Sequence, residues 1–386
     1  MKYRNLLFIF LLSVFASCSK DPELEPDTPP STFKVRIDNV IHETYFDSYP
    51  QGPSLFVPYL VMSGLPESEK LLAFGGYYSP ENPNPDGSDY TFIHDCADDE
   101  LIQGWDWTQE LIYSAGWIDL PIPGKTYYFK GVVRTNKAVY YSNTVTINTD
   151  GLPGYTPGPQ DRVLPVVFHV MPRKDGTYPH PYFFDEMLAC ANRLYRNVWP
   201  LPGLADAGIR FVPATHAPDG TALSTPGIHY LDERYELDLD ISNEELRQWV
   251  GDNLWEMTEV INVWVSPFIN DDIVSEDTRT AGFTFLPYFA PEEMLQGCNT
   301  AVPGCFSGIF LNQEIVGNGY CNSGIAVFAH EAGHYLGLDH VFEEDWCDDT
   351  PQYDRARYRT EQYIPGIDTY LRYPIELPQS LIRRST

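Results

Sequence analysis

One short run of residues, from His330 to His340, constrains the fold of this chain more than any other feature of its sequence. The run reads HEAGHYLGLDH. His330 and His334 are four residues apart, so on an α-helix their rings project from the same face and can reach one metal ion. Gly337 can end that helix with a positive φ, which would turn the chain so that His340 approaches as a third ligand. The run therefore predicts a helix, a tight turn and a metal site where the two meet.

The remaining polar residue of the run is Glu331, which lies beside the first histidine but is displaced around the helix. It need not bind the metal, and it can hold and deprotonate a metal-bound water. Three neutral imidazoles leave one position open on a zinc ion, whereas structural zinc has four protein ligands, usually including thiolates. The sequence therefore predicts one catalytic Zn²⁺ held by His330, His334 and His340, with Glu331 as the catalytic residue.

The chain changes character near its middle. From residue 31 to 150 short apolar and aromatic runs are separated by Gly, Pro, Asn and Asp, which predicts an all-β domain. Residues 125–134 and 139–147 predict a β-hairpin that resembles the last two strands of fibronectin type III or immunoglobulin-like sandwiches. In that comparison Tyr127 or Tyr128 takes the place of the tyrosine at the sandwich corner.

A Pro/Gly-rich segment, residues 151–160, marks a domain boundary. Residues 161–386 then alternate between strand and helix patterns, which predicts an α/β (α+β) domain. The predicted strands are 163–170, 208–212, 260–265, 281–286 and 308–312, and the predicted helices are 184–199, 243–255 and 323–336. Because the linker separates them, we expect two independent cores.

The run from His330 to His340 matches the zinc motif of metzincin peptidases. The opening strand Val166–Val170 and the segment Cys347-Asp348-Asp349-Thr350-Pro351 resemble the pappalysin branch of that family, which has members among bacterial exported lipoproteins. The resemblance covers residues 163–351. It implies a zincin fold and a zinc endopeptidase that hydrolyses extracellular proteins or peptides, with the strand near 308–312 pairing with an extended substrate. The alternative is a surface binding or adhesion lipoprotein that retains zinc but has little turnover.

One part of the metzincin pattern is missing. Family members follow the third histidine with a turn containing a Met under the zinc, yet the last Met of this chain is Met294. We therefore expect an atypical or truncated C-terminal end and reduced activity.

A further alternative concerns Cys96, a thiol in an acidic segment that could cap the zinc as a latency switch.

The N-terminus predicts export. Residues 1–17 combine basic residues, an apolar stretch and a small-residue cleavage site, as in a signal peptide. The context of Cys18 resembles a bacterial lipoprotein box, so Cys18 would be lipidated, and residues 18–30 form an acidic, Pro-rich tether. A simple secretory signal is the alternative. We expect an outer-membrane lipoprotein that faces either the cell surface or the periplasm.

The net charge limits the class of partner, and the remaining cysteines allow disulfides. The net charge of −29, without a basic cluster, argues against nucleic acid, and we expect a monomer whose partners are its substrate and, through the lipid, the membrane. Asp348 and Asp349 could bind Ca²⁺, the alternative being a solvated loop. An exported chain can form disulfides, and the candidates are Cys298 with Cys305 and Cys321 with Cys347.

Overall fold

The computed structural model describes residues 32–44, 54–199, 205–234, 236–238, 244–269, 280–284, 308–316 and 322–338. Within these ranges the chain forms two β-rich units. No helix of the described residues is both long enough and apolar enough to cross a membrane.

The first unit consists of two antiparallel sheets. In one, β2 (Ser54–Ser63) pairs with β1 (Lys34–Thr44), β5 (Leu111–Ser114) and β6 (Ile118–Asp119), and α1 (Glu100–Gln103) precedes β5. The other sheet has the order β4 (Tyr90–Asp95), β3 (Leu71–Ser79), β7 (Thr126–Thr135) and β8 (Val139–Asn148). The predicted hairpin is confirmed as β7 and β8, which pair antiparallel. Its likeness to fibronectin type III and immunoglobulin-like sandwiches stays a prediction.

These two sheets pack face to face. The rings of Phe74 in β3 and Tyr113 in β5 meet edge to face at 4.8 Å. Gly131 of β7 lies so close to the opposite sheet that a Cβ there would be 2.3 Å from Leu60 Cδ1 in β2. Side chains that alternate along each strand thus fill one apolar layer between the sheets.

The second unit is built on one mixed sheet. Its parallel strands are β9 (Arg162–Val170), β10 (Ile209–Pro213), β11 (Ile228–Tyr230, also paired with β9), β13 (Ile261–Ser266) and β16 (Ile309–Asn312). The short β15 (Gly282–Thr284) runs antiparallel to β16, so the strand order is β10-β9-β13-β16-β15. Separately, β12 (Leu237–Asp238) pairs with β14 (Phe268–Ile269). The helices are α2 (Pro181–Tyr195), α3 (Glu244–Asn253) and α4 (Asn322–Tyr335).

Nearly every predicted element of this unit is confirmed within a few residues, and the reason is visible in β9. Phe168 packs on one face of the sheet, with its ring 4.8 Å from Phe184 of α2 and 5.7 Å from Phe328 of α4. His169 faces the other side and stacks on Trp264 at 4.2 Å. A strand covered on both faces needs apolar residues at consecutive positions, which is the pattern that its sequence shows.

Helix α2 joins the two units. It begins at Pro181, whose fixed φ suits the first helical turn, and the ring of Phe183 lies 4.4 Å from Tyr90 of β4. Buried apolar side chains of both units form one continuous cluster through this helix. The expectation of two separate cores is therefore wrong, while the domain bounds at 150 and 161 stay a prediction.

Candidate metal centre

The local sequence explains how α4 starts and stops around the predicted metal ligands. One face of the helix, with Ile325, Phe328 and Ala332, is buried against the sheet and α2. At the other end Gly337 has a φ of 100°, its N–H donates to the carbonyl of His334, and the N–H of Leu338 donates to the carbonyl of Gly333. This pair of bonds is the glycine C-cap that the sequence predicted, and it turns the chain directly after the second histidine.

The two histidines of α4 point at a common position. Their Nε2 atoms lie 3.1 Å apart, and their rings are perpendicular with centroids 4.7 Å apart. Nδ1 of His334 lies 2.6 Å from the carbonyl oxygen of Leu338. A carbonyl can only accept, so Nδ1 carries the proton and Nε2 of His334 presents a lone pair.

This geometry fits a zinc ion. Two imidazole nitrogens bound to one tetrahedral zinc at about 2.0–2.1 Å are roughly 3.3 Å apart, close to the separation between His330 and His334. The backbone carbonyl on Nδ1 of His334 is the kind of outer contact that orients a zinc-bound histidine. His340, the predicted third ligand, lies outside the described residues, and among the described residues no group of three His, Cys, Asp or Glu could hold a metal.

Glu331 differs from its histidine neighbours in its surroundings. The residue is 5% exposed, and its buried Oε2 atom has no hydrogen-bond partner within the described part of the chain. Burial raises the pKa of this carboxyl above its ordinary value, while the nearby Thr284 hydroxyl and the His334 ring act in the opposite direction. A carboxylate whose pKa is raised is a stronger base than a solvent-exposed one, which suits a proton acceptor.

The sheet edge beside Glu331 corrects one expectation. β16 pairs with β13 on one side and with β15 on the other, so the strand 308–312 cannot pair with a substrate as expected. Among the described residues no strand covers the outer side of β15. Among the described residues β15 is therefore the strand at this edge of the sheet, and it also contacts α4.

A hydrogen bond from helix α2 fixes the position of helix α4. The hydroxyl of Tyr195 in α2 donates to the carbonyl of Ala329 at 3.1 Å, one residue before the first histidine. A Cβ added to Gly333 would lie 3.3 Å from the same hydroxyl oxygen. Sequence reasoning missed this contact because nothing near Tyr195 in the sequence marks its partner 134 residues away.

His169, a histidine outside the motif, has a structural role in the second unit. Nε2 of His169 lies 2.9 Å from Oδ1 of Asn262, and its Nδ1 lies 2.9 Å from Nδ1 of His229. Complete burial lowers the pKa of His169 to about 3, so the ring is neutral. It is a satisfied core residue on the face of the sheet away from α4.

Most of the other predicted site residues lie outside the part of the chain that the structure describes. The following lie outside the described residues, and their roles stay predictions: Cys18, Cys298, Cys305, Cys321, Cys347, Asp348 and Asp349. Cys96 is buried in the core of the first unit, where burial raises the pKa of its thiol to about 12. A thiol enclosed in a hydrophobic core is not accessible to a metal on α4, which argues against the latency alternative.

One protein-family model matches part of this chain. Residues 244–365, which include α3, the sheet edge and α4, match the model of the peptidase M43 family, described as pregnancy-associated plasma protein-A. No curated protein matches the chain.

Among solved structures, mirolysin in complex with compound 9 is 18% identical with a TM-score of 0.37, covering 50% of this chain and 69% of mirolysin. Mature mirolysin of Tannerella forsythia in complex with a cleaved peptide is 16% identical with a TM-score of 0.36, over 50% and 70% of the two chains. A DUF3823 family protein from Bacteroides ovatus is 14% identical with a TM-score of 0.22, over 31% and 56%.

Proposed function

We propose that this chain, whose residues 244–365 match the peptidase M43 family model, is a metallopeptidase and that its site on α4 hydrolyses peptide bonds within extracellular proteins or peptides. The observation that carries this proposal is the convergence of the His330 and His334 Nε2 atoms, 3.1 Å apart, beside the buried carboxyl of Glu331. A member of that family would hold one catalytic zinc, and the two rings fit such an ion.

Each residue has a chemical role. His330 and His334 would hold the zinc, with His340 as the third ligand. When bound, the zinc would polarise the scissile carbonyl and lower the pKa of water at the site. Glu331 would accept a proton from the attacking water and then donate it to the nitrogen of the leaving amine, so that its carboxyl starts and ends the cycle ionised.

The substrate would lie along β15. Its outer edge, which no strand of the described residues covers, can pair with an extended peptide as an added strand, and main-chain hydrogen bonds would then fix the peptide backbone. Because Gly282 of this strand approaches Glu331 closely, a peptide bound there would pass near the carboxyl. Pairing through the backbone favours unfolded or flexible segments over compact folded proteins.

The test is the substitution Glu331→Gln. It removes the proton acceptor and keeps the size of the side chain, so we expect hydrolysis of a denatured protein substrate to fall by about 10²–10⁴-fold. Zinc content should not change, because the histidines remain. Glu259→Gln is the matched control, since Glu259 is exposed.

Two outcomes would change the proposal. Hydrolysis that persists in Glu331→Gln would reject the role of Glu331. A zinc-loaded wild type that binds proteins but does not cleave them would favour the adhesion alternative. The reduced turnover expected from the missing Met stays a prediction, as does the lipid anchor at Cys18 on the outer membrane.

A further inference from the structure

Strand β15 shows different side chains to its two sides. Phe283 faces away from α4, with its ring stacked on Phe310 at 4.6 Å and tilted against Phe268 at 5.6 Å. Gly282 and Thr284 face the catalytic helix, as alternation along a strand requires. Aromatic packing of Phe283 therefore holds the strand on the side away from α4, while the side toward Glu331 carries only Gly282 and Thr284.

Gly282 is required by space. A Cβ at this position would lie 3.1 Å from Glu331 Cγ, 2.9 Å from Val327 Cγ1 and 2.9 Å from the carbonyl oxygen of Phe310. Its φ lies outside the left-handed region, so conformational freedom is not the reason for a glycine here. The missing side chain lets the edge strand lie directly against the stem of Glu331.

Thr284 supplies a polar group on the same side of the strand. Its Oγ1 atom is buried and has no hydrogen-bond partner among the described residues, and the same is true of Glu331 Oε2. Buried polar atoms without partners are rare and costly, and these two are complementary, since a hydroxyl can donate and a carboxylate oxygen accepts. The hydroxyl of Thr284 is also close enough to the carboxyl of Glu331 to lower its pKa.

We propose that Thr284 is a positioning residue that donates a hydrogen bond from Oγ1 to Oε2 of Glu331, and that Gly282 provides the room for this contact. The inference rests on the proposed function and deepens it. The strand that would bind the substrate backbone would then also fix the orientation of the proton acceptor. The same strand, β15, would then hold both the substrate and the proton acceptor, which keeps their relative position within tenths of an ångström.

The activity test compares Thr284→Val with Thr284→Ser. Val keeps the shape and removes the hydroxyl, so we expect kcat to fall about tenfold to a hundredfold, with KM changed less than twofold and zinc content unchanged. Ser keeps the hydroxyl and should restore kcat to within about threefold of wild type. A Thr284→Val enzyme with wild-type kcat, or a Thr284→Ser enzyme as slow as Thr284→Val, would overturn the proposal.

The space requirement has its own matched pair. Gly282→Ala should lower kcat as Thr284→Val does, whereas Gly251→Ala, on the exposed face of α3 with nothing within 4 Å of the new Cβ, should not. Wild-type kcat in Gly282→Ala would show that the close approach is not needed.

A crystal structure of the zinc-loaded wild type decides the contact without any assay of turnover. An Oγ1–Oε2 distance below about 3.2 Å supports the hydrogen bond, and a distance above about 4 Å without a bridging water overturns it. A wild type without turnover would reject the proposed function, and this distance would still decide the role of Thr284.

Discussion

The hydroxyl of Tyr127 offers a sharp test of how the two β-rich units depend on each other. It accepts a hydrogen bond from the N–H of Ile122 at 2.9 Å and donates one to Oε1 of Glu186, in α2, at 2.6 Å. Tyr127 is fully buried and Glu186 is 3% exposed. Substitution of Tyr127 by Phe removes one oxygen atom, leaves the ring in place and opens almost no cavity.

The expected loss of stability follows from the groups left behind. A buried polar group that loses its partner destabilises the fold by about 1–3 kcal/mol, and here both the N–H of Ile122 and the carboxyl of Glu186 lose theirs. We therefore expect a loss of about 3 kcal/mol, equivalent to a fall of roughly 6–12 °C in the unfolding midpoint.

The loss should depend on pH. Burial raises the pKa of Glu186, and the hydroxyl of Tyr127 lowers it again. A carboxyl with a raised pKa in the folded state contributes stability that is present below its unfolded pKa of about 4.3 and is lost as pH rises through the folded value. Because Phe removes the donor, the folded pKa rises further, so the destabilisation should be larger at pH 8 than at pH 5.

Calorimetric or circular-dichroism melting of the full chain measures both effects. Tyr128→Phe, a neighbouring and partly buried position on the same strand, is the matched control. If the two variants melt within about 1 °C of each other at pH 8, the hydroxyl is not a structural contact between the units. A destabilisation that does not change with pH would refute the role given to the carboxyl of Glu186.

Two further predictions concern the metal and the anchor. His334→Ala should reduce bound zinc from about one ion per chain to less than a tenth, measured by plasma mass spectrometry, because it removes a ligand, whereas exposed His216→Ala should leave zinc unchanged; full occupancy in His334→Ala would reject the assigned site. Cys18→Ser should move the protein from the membrane fraction to the soluble fraction in the native host, with Ser19→Ala as control, and continued membrane association would reject lipidation at Cys18.

The sequence predicted what depends on neighbouring residues. Helix α4, the shared face of His330 and His334 and the cap at Gly337 all follow from spacings of three to seven residues. The hairpin of β7 and β8 is equally local. Such features are decided by backbone geometry and periodicity, which a sequence carries directly.

The sequence failed where distant segments meet. Both 281–286 and 308–312 have strand character, but the pattern of either run does not tell which becomes the edge of the sheet. β16 follows β15 in the chain and yet lies inside, because it pairs in parallel with β13. Assigning the substrate to the strand 308–312 was therefore an error of sheet order. Order in a mixed sheet is set by crossover connections rather than by local pattern.

The same reasoning explains the wrong expectation of two separate cores. A Pro/Gly-rich linker shows that residues 151–160 form no helix or strand, but it says nothing about whether the units on either side touch. Here α2 presents the guanidinium of Arg193 to the backbone carbonyls of Leu120 and Pro121 in the first unit. Two residues further along the same last turn, Tyr195 donates to the carbonyl of Ala329 in α4. One helix therefore contacts both the first unit and the turn of α4 that precedes the predicted metal ligands. The linker sequence carries no sign of this, because the contacts are made by side chains of α2 that lie outside the linker.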